Sequence, residues 1–138
     1  MRRTVGVAAC VLAGGLLVAS CGSTPRSATN FCRQLEQEMP GIAELPATPE
    51  AIDGTVERYE RLLALAPLAV ESDLRTLTDL FRAAADMDAS DPESVQDVVD
   101  QTYFSEQSAR AVSAWVLDTC GVDISTGLAV VPPATTQE

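Results

Sequence analysis

Asp86, Asp88 and Ser90 stand at alternate positions, and Asp97 is twelfth counting from Asp86. That spacing puts oxygen atoms at the first, third, fifth and twelfth places of a calcium-binding loop. Two departures argue against the site. The sixth place needs Gly for its sharp turn and holds Asp91. The twelfth needs a Glu long enough to bind through both oxygens and holds an Asp. The expectation is therefore a turn between helices containing Asp86 and Asp88, with Ser90-Asp91 capping the next helix and Glu93 completing a capping box. No metal site is expected.

Other catalytic chemistry is poorly supplied. The chain has no His to act as a base and no Lys to replace it. Serine–histidine and cysteine–histidine nucleophiles are thereby excluded, as are zinc sites built on imidazole. Paired carboxylates could cleave glycosidic bonds, and acidic residues are plentiful. None stands within an apolar stripe, where burial would raise its pKa, so a solvated acidic surface is expected. The chain reads as non-enzymatic, with no cofactor. The remaining candidate for chemistry is recognition: Tyr103 and Trp115 could border a ligand pocket between helices. A ligand there would perturb Trp115 fluorescence. Tyr103 is the least regular of the aromatic residues and the one expected to be partly exposed.

The segments that carry these residues read as an all-α bundle of four to five helices over residues 30–124. Phe31 and Leu35 belong to a short first helix that Pro40-Gly41 ends. Thr48-Pro49 combines a capping hydroxyl with a proline at the first helical position. Behind it Ile52, Val56, Tyr59, Leu63 and Ala66 recur at steps of three and four, one stripe of an amphipathic helix. Pro67 separates a third helix, where Val70, Leu74, Leu77, Phe81 and Ala84 repeat the pattern. A short fourth helix would face inward through Val95, Val98 and Val99. A fifth would do so through Phe104, Ser108, Ala111, Val112, Trp115 and Val116. Gly121 suits the left-handed position that closes it. No segment alternates with period two, so no sheet is expected. From Ser125 to Glu138 the Thr- and Pro-rich composition predicts a disordered tail.

At the other end, Arg2-Arg3 precedes 14 uncharged residues, Val5–Val18. That run is too short to span a bilayer, which takes about 20 residues, and suits the apolar part of a secretory signal. The quartet Val18-Ala19-Ser20-Cys21 that ends it resembles a bacterial lipobox. The resemblance implies that residues 1–20 are removed and that Cys21 becomes a diacylglyceryl-modified N-terminus. Residues 21–29 would then form anchor and linker, and the lipid membrane would be a partner through two acyl chains. The protein would sit on the outer face of the cytoplasmic membrane. Plain secretion, leaving Cys21 a free thiol, is the alternative.

Processing would leave seven Arg against all 20 acidic residues, a net charge of −13 compared with −11 for the whole chain. Such a surface repels phosphate backbones, so nucleic acid is not an expected partner. Setting aside Cys10 in the signal and Cys21 at the anchor leaves Cys32 and Cys120. In an exported protein two such thiols are expected to pair, fastening the start of the first helix to the end of the last. The alternative is two buried thiols acting as small apolar residues.

Phe31-Cys32, the segment Tyr59 to Pro67, and Cys120-Gly121 are similar to small secreted helical domains of high-GC Gram-positive bacteria. Those are uncharacterised, disulfide-tied lipoproteins. The resemblance covers about residues 30–123 and implies a fold and a location but no mechanism. Two functions stay open: an interaction or structural module that engages another envelope protein, and a small-molecule or peptide binder using an inter-helix pocket.

Overall fold

The computed structural model of the protein describes residues 23–128. The expected signal segment, Cys21 with its lipidation, and the tail beyond Leu128 lie outside the described residues. Five helices follow in order: α1 Ala28–Glu38, α2 Pro49–Leu65, α3 Leu68–Ala85, α4 Pro92–Cys120 and α5 Ser125–Leu128. There is no strand among the described residues, and Cys32 is bonded to Cys120 with their Cα atoms 5.4 Å apart. The protein is a small all-α bundle tied by one disulfide. No helix among the described residues is long and apolar enough to cross a membrane.

Local chemistry explains the helix boundaries. Ser27 Oγ accepts from the Asn30 amide to cap α1, and Thr48 Oγ1 accepts from the Ala51 amide to cap α2, with Pro49 at its first turn. Each satisfies one amide that the helix itself leaves without an acceptor. Pro67, with φ held at −62°, separates α2 from α3. At the end of α4 Gly121 takes the left-handed conformation, φ 69°, which a Cβ would disfavour.

Several expectations need correction. The expected fourth and fifth helices are one continuous helix, the 29-residue α4. No Gly or Pro interrupts the chain between Pro92 and Cys120, so a shift in the apolar stripe alone does not break it. The shift comes from small residues. Ser105 and Ala109 form the contact surface toward the core, while Phe104 stays 84% exposed and Ala111 is also outside. Of the expected Ser90-Asp91 cap it is Asp91 that serves, and because the Glu93 amide donates to Asp91, the expected capping box between Ser90 and Glu93 is not made. Ser90 is engaged elsewhere, donating its hydroxyl and its amide to Asp88.

Two further corrections concern the ends. The linker is shorter than 21–29, because α1 begins at Ala28. Arg26 is already fastened, with Nε 2.9 Å from the Ala66 carbonyl and a guanidinium nitrogen 2.8 Å from Glu71. The expected disordered tail does not start at Ser125, since Ser125–Leu128 form α5. Gly127 is buried so closely on the Ile42 carbonyl that a Cβ there would overlap it.

The core joins Phe31 and Leu35 of α1, Tyr59, Leu62 and Ala66 at α2, Val70, Leu74 and Leu77 of α3, and Val112 and Val116 of α4. On α2 the buried face is turned by one position from the expected stripe. Leu62 and Thr55 are buried, while Ile52 and Val56 are only half-buried. The cause is that α2 is gripped from two sides, by α1 and by α3. The buried hydroxyls of Thr55, Thr78 and Ser105 donate to carbonyls one turn back, which removes the penalty of burying them. Helix α3 is central, packing on both α2 and α4, which do not pack on each other. The short α1 bridges them along part of their length.

Candidate functional site: an apolar groove along α4

The span of α1 determines where the molecule is open. Its 11 residues cover about 16 Å, and beyond its end only the four-residue α5, which packs on α4, stands beside the gap between α2 and α4. What remains is a groove of about 1030 Å³. Its floor is Leu77, Leu80, Phe81 and Ala84 of α3. One wall is α4 from Val98 to Leu117, including Tyr103, Ala109 and Ala114. The other is Leu45 and Pro46 of the α1–α2 connection with Ile52 of α2. Leu128 of α5 borders it as well.

The lining is mostly apolar, and several side chains stand well out of the core: Tyr103 is 72% exposed, Leu117 53% and Leu45 48%. Contiguous exposed apolar surface of this kind marks binding sites on soluble domains. Charge at the rim is limited to the i,i+4 pair Glu106–Arg110, which neutralises itself.

The two expected pocket residues are not brought together. Tyr103 lines the groove. Trp115 instead meets Phe31 edge-on, ring centroids 5.3 Å apart at 81°, and helps seat α1 on α4. The 12 steps from Tyr103 to Trp115 separate the two side chains by about 18 Å along the helix and turn them to different faces. Trp115 fluorescence therefore reports on the α1–α4 contact and is a poor probe of the groove. Groove residues that the sequence did not point to include Leu45, Pro46, Leu80, Leu117 and Leu128. Leu80 and Leu117 carried a usable signal, since each widens the apolar arc of its helix beyond a single stripe.

No protein-family model, curated protein or solved structure matches this chain.

The polar clusters have structural work. Asp88 takes both hydrogen bonds of the Ser90 turn, and they hold its carboxyl below the ordinary value. Asp91 is spent on the helix cap. Among the described residues no group of three or more His, Cys, Asp or Glu could hold a metal ion. Among the described acidic residues Glu38 is the buried one, at 9% exposure. Arg61 donates to it through Nε at 2.6 Å and through a second nitrogen at 2.9 Å, and Gln34 adds a bond at 2.7 Å. The Arg61 hydrogen bonds lower the Glu38 pKa, outweighing burial, which would raise it. A general acid needs the opposite shift, so Glu38 is a tertiary clamp between α1 and α2.

Proposed function

We propose that the protein is a non-enzymatic lipoprotein displayed on the outer face of the cytoplasmic membrane, where it engages another envelope protein through the groove along α4. The observation that carries the reading is the groove itself: an apolar surface that α1 is too short to cover, on a domain with no His or Lys for acid–base work. The lipobox-like Val18-Ala19-Ser20-Cys21 supports the anchor.

The tether also supports an orientation. Arg26 is held at the α2–α3 turn, and the five steps from Cys21 to Arg26 reach about 17 Å when fully extended. An anchored domain would keep the α2–α3 turn and the disulfide toward the bilayer. The α3–α4 turn would point outward, about 27 Å further along the 18-residue α3. The groove floor belongs to the outer half of α3. Seven Arg against 20 acidic residues leave the acyl chains to supply the membrane affinity.

In-cell photo-cross-linking from position 103 tests the interaction, with Cys21→Ala to release the anchor and Ala114→Asp to place a charge on the exposed groove wall. One dominant envelope partner is expected, lost in both variants. A captured set that is unchanged by Ala114→Asp overturns the groove as the interface. Labelling with a fatty-acid analogue tests the anchor, which fails if Cys21→Ala still takes up label.

The groove volume also favours a second reading, a small apolar molecule or peptide as the occupant. A Tyr103→Trp reporter would separate the two, because a bound ligand would blue-shift its emission in the purified protein, whereas an exclusively protein-binding surface would leave it unchanged on ligand screening.

A further inference from the structure

We infer that the chain carries its own occupant for the groove: the segment Ala129–Pro133, which follows α5 directly. The inference names a regulation of the groove and rests on the reading of that groove as a binding surface.

The exit point comes first. Gly127 is wedged on the Ile42 carbonyl and Ile124 is buried, so α5 is held in one place. Leu128, the last residue of α5, already borders the groove. The described part of the chain therefore ends on the rim of the apolar surface.

The chemistry comes next. The residues after Leu128 are Ala-Val-Val-Pro-Pro-Ala, and no charged side chain occurs from Ala129 to Gln137. In a chain with 20 acidic residues, this stretch is among the few that an apolar trough would accept at no electrostatic cost. Val130 and Val131 are β-branched residues, and a Pro-Pro pair in any chain favours an extended backbone. An extended segment loses little conformational freedom when it is laid into a groove. Five extended residues reach about 16 Å, against about 21 Å along α4 from Leu117 to Tyr103. The segment is thus long enough for about three quarters of that wall.

Tethering comes last. A segment attached at the border of its site meets it at an effective concentration in the millimolar range. Even a weak contact is then occupied, and a partner must displace the segment before it can bind. The groove would be shielded until a competing apolar surface arrives.

The test uses the full chain with a photo-reactive p-benzoylphenylalanine at position 131, and the same group at position 137 as a control. Irradiation and peptide mapping by mass spectrometry, over a range of protein concentrations, locate the contact. The expected result from position 131 is an intramolecular cross-link to Leu80, Phe81 or the α4 wall between Tyr103 and Leu117, independent of concentration. Cross-links scattered over the surface, the same pattern from 137 as from 131, or a covalent dimer that grows with concentration would each overturn the inference.

A second measurement uses Nile red, a neutral apolar dye, with the unmodified chain and with Val130→Asp/Val131→Asp. Removing the internal competitor should tighten dye binding by about tenfold or more, and equal affinities in the two proteins would count against the inference. Cross-links in the groove with no partner captured in cells would leave the inference standing and remove the proposed interaction. Loss of the cross-link alongside a partner sensitive to Ala114→Asp would do the reverse.

Discussion

Tyr59 is fully buried and packs against Phe81 with ring centroids 4.7 Å apart, yet its hydroxyl has no hydrogen-bond partner among the described residues. Burial pushes the Tyr59 hydroxyl pKa well above the ordinary tyrosine value. A buried donor without an acceptor costs about 1–3 kcal/mol. Tyr59→Phe keeps the ring and removes the cost, so it should raise unfolding stability in urea by about 1 kcal/mol. A loss of stability would mean that the hydroxyl is satisfied. Glu38 gives the opposite case, a buried charge that is paired. Its folded pKa lies below the ordinary glutamate value of 4.5 because Arg61 donates to it. The folded state therefore binds the proton less readily than the unfolded state. The stabilisation is whole above the ordinary value and is lost as pH falls through the folded pKa. Comparing the protein with Glu38→Gln isolates this group from the relief of net negative charge that acid also brings. The stability advantage of the parent over the variant should shrink between about pH 6 and about pH 3. A gap that stays constant would refute the assignment.

Elements are decided by their ends and by what they lean on. Asp91→Ala removes the acceptor of the Glu93 amide and should cost about 1 kcal/mol. Ser90→Ala, which touches only the preceding turn, should cost less in the same denaturation series. Helix α5 has four residues, too few to hold itself together. It exists because Gly127 lets the backbone approach Ile42 and because Ile124 is buried. Gly127→Ala should force the two backbones apart at a cost of about 1–3 kcal/mol. Hydrogen exchange should accelerate first at Ser125–Leu128, and uniform acceleration throughout the bundle would show that α5 is not a separate unit.

The whole molecule is closed by one covalent bond. Cys32 and Cys120 lie 88 residues apart in sequence, and closing a loop of that length removes unfolded-state entropy worth about 4–5 kcal/mol in the chain-entropy treatment. Domains of this size have a total stability of about 5–15 kcal/mol. Replacing both cysteines with Ser should therefore remove much of the stability, read as a fall of about 4 kcal/mol in chemical denaturation. A loss below about 1 kcal/mol would mean that α1 is held by Glu38–Arg61 and Phe31–Trp115 without the bridge. The same bond, with Arg26 at the α2–α3 turn, gathers α1, the α2–α3 turn and the end of α4 at one end of the bundle. The α3 floor of the groove, Leu77 to Ala84, lies in the other half of that helix.

Several features needed only the amino-acid order. Apolar residues at steps of three and four made α2 and α3 legible, and Thr48-Pro49 and Gly121 marked boundaries through chemistry confined to one turn. Cysteine counting paired Cys32 with Cys120, given an exported chain. The absence of His and Lys excluded whole classes of catalysis before any fold was known. Tertiary structure decided the rest, because each remaining question concerned which distant surfaces meet. Small Ser105 and Ala109 allowed α4 to run unbroken past Phe104, and only the neighbouring α3 makes that choice favourable. Glu38 is buried because Arg61, remote in sequence, reaches it. Tyr103 and Trp115 parted because 12 steps along one helix turn them to different faces. The groove itself follows from a length mismatch: α1 is shorter than the gap between α2 and α4, and a gap between elements is a property of their assembly that no single segment carries.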